Sequence, residues 1–274
     1  MSKLATRSAV DPTAIVLREN REGIALVILN RPDARNSLSE ELLEALKSEL
    51  ESIRDDKSVR AVVLAANGPV FCAGHDLKEL TDHRNDRDRG RTYFHRIFGM
   101  SADLMLSLAS LPQPVVAAVQ GIATAAGCQI VAACDLAVAS EAARFCTPGV
   151  DIGLFCSVPG VPLSRKIAEG HALEMLLTGE AITAKRAHEI GLVNRVVPQG
   201  RERDTALELA RAIASKSSFV QKIGKQSFYR QRDMDLVKAY AYTVEVMAEN
   251  MMAKDAEEGI GAFIEKRTPK WEDR

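Results

Sequence analysis

Short apolar runs alternate with helical patterns along most of this chain. Runs at 14–17 and 24–29 predict two strands, and the polar residues at 19–23 predict a hairpin turn between them. The second run has no polar alternation, which is typical of a strand buried on both faces. Further buried strands are predicted at 60–66, 114–119 and 135–139.

A helical pattern follows the first pair of strands. Ser37 precedes Glu40 by three residues, which is the spacing of a capping box at a helix start. Apolar residues then recur every three or four positions and predict one buried helix face, formed by Leu42, Leu43, Leu46, Leu50 and Ile53. Strands that alternate with helices in this order predict an α/β fold.

Strand patterns become rare beyond Pro198. Helices are predicted at 202–215, 218–230, 233–252 and 256–266. The third of these has apolar positions that a partner helix could cover, namely Val237, Ala241, Val244, Val246 and Met247. We therefore predict a core over residues 1–199 and a C-terminal helical region over residues 200–274.

Composition excludes several classes of function. The 274 residues carry a formal net charge of −1, so no overall field would attract nucleic acid or an anionic membrane. Five cysteines without paired short spacings argue against a disulfide framework or a zinc site. They favour a reducing compartment, which is the cytoplasm or, in a eukaryote, the mitochondrial matrix.

Neither a secretory signal nor a membrane span is predicted. The first ten residues contain Lys3, Arg7 and no acid, which leaves a very short transit-like segment open. The longest stretch of small apolar residues is interrupted by Thr124 and Gln129 and is too short to cross a bilayer.

The segment 81–91 is rich in charged residues and has no apolar one. It predicts a solvated loop. The functional alternative is a lid over a site, or a basic rim for nucleotide phosphates.

Two turns of small residues follow buried strands, at 71–77 and 120–127. Glycine and alanine at such turns let a ligand approach the bare backbone. The amides that open the helix after the second turn lack partners inside it and lie at the positive end of its dipole. Two such turns can aim two amides at one oxygen, which is the geometry of an oxyanion hole.

Several segments together resemble one family. They are Asn30–Ser39, Phe71–Leu77, Gly121–Asp135, Leu176–Glu180 and Gly191–Pro198. In this order they resemble the enoyl-CoA hydratase/isomerase (crotonase) superfamily, over about residues 15–267. The resemblance implies an α/β fold, the crotonase-like ββα superhelix (spiral), with a C-terminal helical trimerisation region. It also implies a homotrimer, or a hexamer made of two trimers.

The resemblance further implies an acyl-CoA or enoyl-CoA thioester as the ligand. Coenzyme A would be part of the substrate, with no separate cofactor and no metal. The thioester carbonyl would lie between the amides of His75 and Ala126. The family usually has glycines where this chain has Ala125 and Ala126, but alanine keeps the N–H. The alternative for Ala126 is a packed helix start.

Substrate-contacting residues are carried over from the family by motif. They are Ala34, Arg35, Ala73, His75, Asp76, Leu77, Lys78, Ala126, Phe263 and Lys266. The last two match positions that often reach a neighbouring subunit's CoA.

Each assignment has a plainer alternative. The His75 imidazole is either catalytic or structural, and Asp76 is expected to cap the next helix. Lys78 is either near a phosphate or solvated. Phe263 and Lys266 are either CoA contacts or residues of helix packing and surface charge.

Three positions depart from the family. A hydratase of this type uses two glutamates, and here their positions hold Gln129 and Gly149. The carboxylate used by other branches falls at Ser157. Gln129, our third catalytic candidate, can hydrogen-bond a water but cannot take its proton.

Other reactive groups lie nearby in the sequence. Asp151 either points inward or is an exposed or capping aspartate. Cys128, Cys156 and Ser157 are candidate nucleophiles, although a small buried cysteine is more often a core residue.

The amino-acid sequences of the segments around Phe71, Ala126 and Gly149 are similar to those of the enoyl-CoA hydratase domain-containing protein 3 branch, which also lacks these acids. We therefore expect an enoyl-CoA hydratase-like lyase or an enoyl-CoA isomerase, with weak or absent hydratase activity on crotonyl-CoA. One alternative is a non-catalytic acyl-CoA-binding or assembly subunit. Another is a thioester hydrolase that uses Ser157 or Cys156.

Overall fold

A computed structural model describes residues 12–274, and the N-terminal segment considered above as transit-like lies outside them. Ten strands form two sheets in this part of the chain. The larger sheet has the order β1-β2-β3-β5-β7-β10, with β1 Val16–Arg21, β2 Ile24–Leu29, β3 Ala61–Ala66, β5 Val115–Val119, β7 Leu136–Ser140 and β10 Arg195–Val197. The smaller sheet has the order β4-β6-β8-β9, with β4 Val70–Cys72, β6 Ile122–Thr124, β8 Arg144–Cys146 and β9 Ile182–Thr183.

The chain passes from the larger sheet to the smaller one three times. Strands β3, β5 and β7 are parallel neighbours in the first sheet, and β4, β6 and β8 are parallel neighbours in the second. A helical segment follows each step, so the predicted spiral of ββα units is confirmed. Because β4 and β6 pair directly, the turns that follow them lie at one edge of the small sheet.

Helices fill the space around both sheets. They are α1 Glu40–Asp55, α2 Leu77–Asp82, α3 Arg91–Ser110, α4 Ala126–Ala133, α5 Ser157–Lys166, α6 Glu169–Thr178, α7 Ala184–Glu189, α8 Glu202–Ala214, α9 Ser218–Gln231, α10 Leu236–Met251 and α11 Lys254–Ile264. The predicted apolar face of α1 is buried. None of the helices in residues 12–274 is long and apolar enough to cross a membrane.

Strands β2, β3 and β5 in the middle of the large sheet are buried on both faces, as their apolar runs predict. Val27 and Leu64 belong to the core beneath α1, α3 and α4, whereas Leu26 and Val63 belong to a second core with α8. Since α8 covers that second face, the first C-terminal helix packs on the sheet. The division at residues 199 and 200 stays a prediction.

One local prediction was wrong, and another was right about the hairpin but not about the length of its turn. The cap of α1 is Ser39, whose hydroxyl accepts from the Leu42 amide, because the Ser37 hydroxyl is bound to Asp76 at 3.1 Å. The first hairpin is tighter than the turn predicted at 19–23. Its strand β1 continues to Arg21, so that Glu22 and Gly23, both at positive φ, make the turn.

Candidate functional site

The two small-residue turns touch each other. A Cβ added to Gly74 would lie 3.0 Å from Cβ of Ala125 and 3.3 Å from the Ala126 nitrogen. Gly74 has φ +85, a conformation that L side chains rarely adopt. The pairing of β4 with β6 brings the turns together, and glycine at position 74 makes their close contact sterically feasible.

The direction of the His75 amide follows from a bridge on its other side. The Leu38 amide donates to the Gly74 carbonyl at 2.7 Å, and the Asp76 amide donates to the Leu38 carbonyl at 3.1 Å. Because adjacent amides of an extended chain alternate in direction, the His75 N–H points away from Leu38. It has no protein acceptor in the described part of the chain.

Ala126 is the first residue of α4, so its amide has no acceptor inside the helix. The residue before it, Ala125, has φ 50 and ψ −117, and its own amide donates to the Cys146 carbonyl at 2.9 Å. The residue after it, Gly127, lies against β4, where an added Cβ would be 2.2 Å from the Cys72 carbonyl oxygen. The start of α4 is therefore fixed tightly against the small sheet.

The His75 side chain lies in a largely apolar environment. Its ring is edge-on to Phe98, with centroids 5.1 Å apart, and its Nδ1 is buried without a protein partner in residues 12–274. Burial lowers the pKa of this imidazole from 6.5 to about 4, so the ring is neutral at pH 7. A neutral imidazole can accept or donate one hydrogen bond, which keeps both the catalytic and the structural interpretation open.

Neither of the two positions that hold catalytic glutamates in the family carries an acid here, and their surroundings differ. Gln129 is buried on α4, and its Oε1 has no protein partner in the described residues. Gly149 is also buried, and an added Cβ would lie 2.8 Å from the Leu154 carbonyl oxygen and 2.9 Å from the Cys156 sulfur. The main chain around Gly149 therefore leaves no room for a glutamate. Asp151 is exposed, which matches its plainer interpretation.

Neither proposed type of nucleophile is activated. Burial raises the pKa of the Cys128 and Cys156 thiols, so both are protonated at neutral pH. Ser157 is exposed, and its hydroxyl donates only a long bond of 3.4 Å to the Phe155 carbonyl. Within residues 12–274 no histidine or carboxylate side chain is hydrogen-bonded to it.

The opening loop adjoins the first turn. Ala34 ends a short 3₁₀ helix, and the Arg35 carbonyl accepts from the Ala73 amide at 3.1 Å. Asp76 accepts from the Lys78 amide, which confirms it as the cap of α2.

The remaining substrate candidates lie at the surface. Leu77 and Lys78 are exposed beside the first turn. Phe263 is 85% exposed near the end of α11, and Lys266 follows it. No hydrogen bond or ring contact in the described chain joins Phe263 or Lys266 to the two turns, and their assignment as CoA contacts stays a prediction.

One cavity is lined by residues that were not among the predicted site residues. Its volume is about 600 Å³, and its lining consists of Arg84, Asp88, Arg89, Arg91, Phe94, His95 and Phe98. The spacing of these two phenylalanines on α3 resembles that of core residues, so periodicity alone gives no sign of a cavity. Phe98 joins the cavity to His75 through the ring contact.

Comparisons with known proteins agree with this architecture. The family model described as enoyl-CoA hydratase/isomerase matches residues 19–274. The human enoyl-CoA hydratase domain-containing protein 3, mitochondrial, is 44% identical over 250 residues, which is 91% of this chain and 81% of the human protein.

Two solved structures have the same fold. That of an enoyl-CoA hydratase from Mycobacterium smegmatis is 47% identical, with a TM-score of 0.89 over 94% of this chain and 99% of that chain. That of human enoyl-CoA hydratase domain-containing protein 3 is 43% identical, with a TM-score of 0.89 over 94% and 100%. The chain therefore belongs to the enoyl-CoA hydratase/isomerase (crotonase) superfamily, in the branch of enoyl-CoA hydratase domain-containing protein 3.

Proposed function

We propose that the chain binds an acyl-CoA or enoyl-CoA thioester and holds its carbonyl oxygen between the main-chain amides of His75 and Ala126. One observation supports this above all: the two turns touch at Gly74, and within the described residues neither amide has a protein acceptor. Negative charge that develops on the oxygen would satisfy both donors. In hydrolases, loss of one such donor raises the barrier by about 3–4 kcal/mol.

Polarisation of the carbonyl supports enolate chemistry on the acyl group. It makes the α carbon more acidic and the β carbon of an enoyl group more electrophilic, so hydration and double-bond isomerisation are the proposed reactions. Gln129 can orient a water but cannot take its proton. Without general acid–base catalysis we expect crotonyl-CoA hydration about two to four powers of ten slower than in an efficient hydratase.

A second function, non-catalytic acyl-CoA binding, is favoured by the surroundings of Gly149. The contacts that exclude a glutamate there involve Leu154 and Cys156, whereas the proposed carbonyl site is formed by the two turns. Affinity and turnover measured together over a panel of CoA esters separate the two functions. Tight binding without any product favours the binder, whereas slow conversion of one ester favours the enzyme.

The carbonyl site itself is tested by Gly74→Ala. The added methyl would press on Ala125 and Ala126 and separate the turns. Gly170→Ala is the control, because a Cβ there has no neighbour within 4 Å. We expect Gly74→Ala to lose affinity for crotonyl-CoA in calorimetric titration, and the control to keep it. Unchanged affinity in a folded Gly74→Ala protein would remove the proposal.

Ala126→Pro removes the second amide directly. Proline is tolerated at the first position of a helix, so the substitution is compatible with formation of α4. Thermal unfolding shows whether the variant is folded. In a folded variant, we expect weaker binding and slower turnover of any ester that the wild type converts.

We also propose that the C-terminal helices assemble the chain into trimers, or into hexamers of two trimers. Residues spaced three and four apart on α10 form an exposed apolar seam, composed of Val237, Tyr240, Val244, Met247 and Met251. Such spacing is typical of a helix that packs on another. Sedimentation equilibrium tests the proposal: Val244→Asp is expected to shift the mass towards the monomer, and a monomeric wild type would contradict it.

The predicted reducing compartment, the cytoplasm or the mitochondrial matrix, is likewise a proposal. It is supported by the five cysteines, which are buried as free thiols. Fractionation of the source cells, with immunodetection of the chain, tests it.

A further inference from the structure

The cavity lined by Phe94 and Phe98 combines an aromatic wall with a cationic rim. The Phe98 ring is 5.1 Å from the His75 ring. Phe98 therefore contacts both the cavity and the residue whose amide is proposed to hold the thioester carbonyl. The cavity volume of about 600 Å³ leaves room for more than an unbranched short acyl chain.

The rim carries positive charge that the protein does not neutralise. Arg84, Arg89 and Arg91 line the cavity. In the described part of the chain Asp86 lies 2.7 Å from Nδ1 of His83, and none of the three arginines is paired with a carboxylate. Arg84 lies over the Phe94 ring, with its guanidinium carbon 5.8 Å from the ring centre.

The acid in this lining, Asp88, is hydrogen-bonded to the start of α3. Asp88 accepts from the Gly90 amide at 3.0 Å and from the Thr92 amide at 2.8 Å, and it also accepts from the Thr92 hydroxyl. It thus stabilises the start of α3. No ion pair in the described residues joins it to Arg84, Arg89 or Arg91, so three positive charges face one negative charge in the lining and the arginines remain available to an anionic ligand.

We propose that this cavity takes the acyl chain of the CoA ester, and that the chain ends in a carboxylate bound by Arg84, Arg89 and Arg91. This rests on the proposed function, because the carbonyl site fixes where the acyl chain starts. The phenylalanine rings pack against the methylene groups, and a guanidinium pairs with a carboxylate through two parallel hydrogen bonds. A plain alkyl chain gains only the apolar contacts.

Two CoA esters with equal numbers of acyl carbons test the inference, adipyl-CoA and hexanoyl-CoA. We expect the wild type to bind adipyl-CoA about tenfold more tightly in calorimetric titration at low salt, with the ratio falling as salt is added. In the double variant Arg84→Gln/Arg89→Gln, which keeps only Arg91 of the three, the ratio is expected to fall well below its wild-type value while hexanoyl-CoA affinity stays within about twofold. Arg87→Gln, in the same segment but outside the lining, is the matched control and should keep the ratio.

The rim arginines could instead bind the phosphates of the nucleotide, and the same titrations distinguish this source of negative charge. If the double variant loses equal affinity for both esters, the rim binds the nucleotide and the inference is wrong. Equal affinity of the wild type for both esters also overturns it, although the carbonyl site survives. Binding of neither ester would remove the carbonyl site together with the inference.

Discussion

Nζ of Lys225 lies 2.7 Å from Oδ2 of Asp135, and only 6% and 15% of the two side chains are exposed. Asp135 also accepts from the Tyr229 hydroxyl at 2.9 Å and from the Val115 amide at 2.7 Å. Val115 begins the strand that leads to the second turn, whereas Lys225 and Tyr229 belong to α9. One buried carboxylate therefore ties the C-terminal helices to the strand that positions Ala126.

Lys225→Met is expected to destabilise the fold strongly. It leaves the Asp135 carboxylate buried without its cation, and loss of one partner of a buried pair costs about 3–5 kcal/mol. Lys238→Met is the control, because Lys238 pairs with Asp235 at an exposed site, where a pair contributes about 0–1 kcal/mol. Urea unfolding gives both values. Similar losses of unfolding free energy in the two variants would show that burial does not increase the contribution of the Asp135 pair to stability.

The depressed pKa of His75 makes stability depend on pH. Between pH 4 and pH 6.5 the unfolded chain binds a proton at this residue and the folded chain does not, so unfolding becomes easier as the pH falls. The slope is at most about 1.4 kcal/mol per pH unit. His75→Gln keeps the amide and removes the titration. We expect the wild type to lose stability relative to this variant across that range, in urea unfolding at several pH values. Parallel curves would contradict the burial of a neutral imidazole.

Ala125→Gly is expected to stabilise the protein. Ala125 has φ 50 and ψ −117, a region that glycine adopts without strain and alanine does not. Relief of such strain stabilises the fold by about 1–3 kcal/mol, from which the larger unfolded-state entropy of glycine is subtracted. Ala45→Gly, within α1, is the control with the opposite sign, since glycine inside a helix costs about 1 kcal/mol. Calorimetric unfolding measures both. A lower melting temperature for Ala125→Gly would mean that the methyl contact with Gly74 outweighs the strain.

Local patterns predicted most of the fold. The buried face of α1 and the strands of the large sheet follow from periodicity, which neighbouring residues determine. The cap of α1 did not follow, because Ser37 binds Asp76 on a distant segment and Ser39 takes its place. A competing tertiary contact of this kind leaves no mark in a short stretch of sequence.

The sequence predicted the candidate site only at the turns, because the main chain there requires small residues. Gly74, Ala125 and Gly127 mark the two turns, and the pairing of β4 with β6 brings them together. Phe98 gave no such sign, since a phenylalanine on a helix usually indicates core packing. The blocked surroundings of Gly149 depend on the path of the main chain around Leu154, which no residue type reveals.

Gly149→Glu is expected to fail as a restoration of hydratase chemistry. The side chain would meet the Leu154 carbonyl and the Cys156 sulfur, and such overpacking costs about 1–3 kcal/mol. Gln129→Glu/Gly149→Glu should therefore be less stable than Gln129→Glu and no faster with crotonyl-CoA, followed through the loss of enoyl-thioester absorbance. Gly170→Glu, at an exposed glycine without neighbours, is the control for stability and is expected to unfold like the wild type. A folded double variant with efficient hydration would show that the main chain at 149–156 moves aside, and that the missing acids alone limit the reaction.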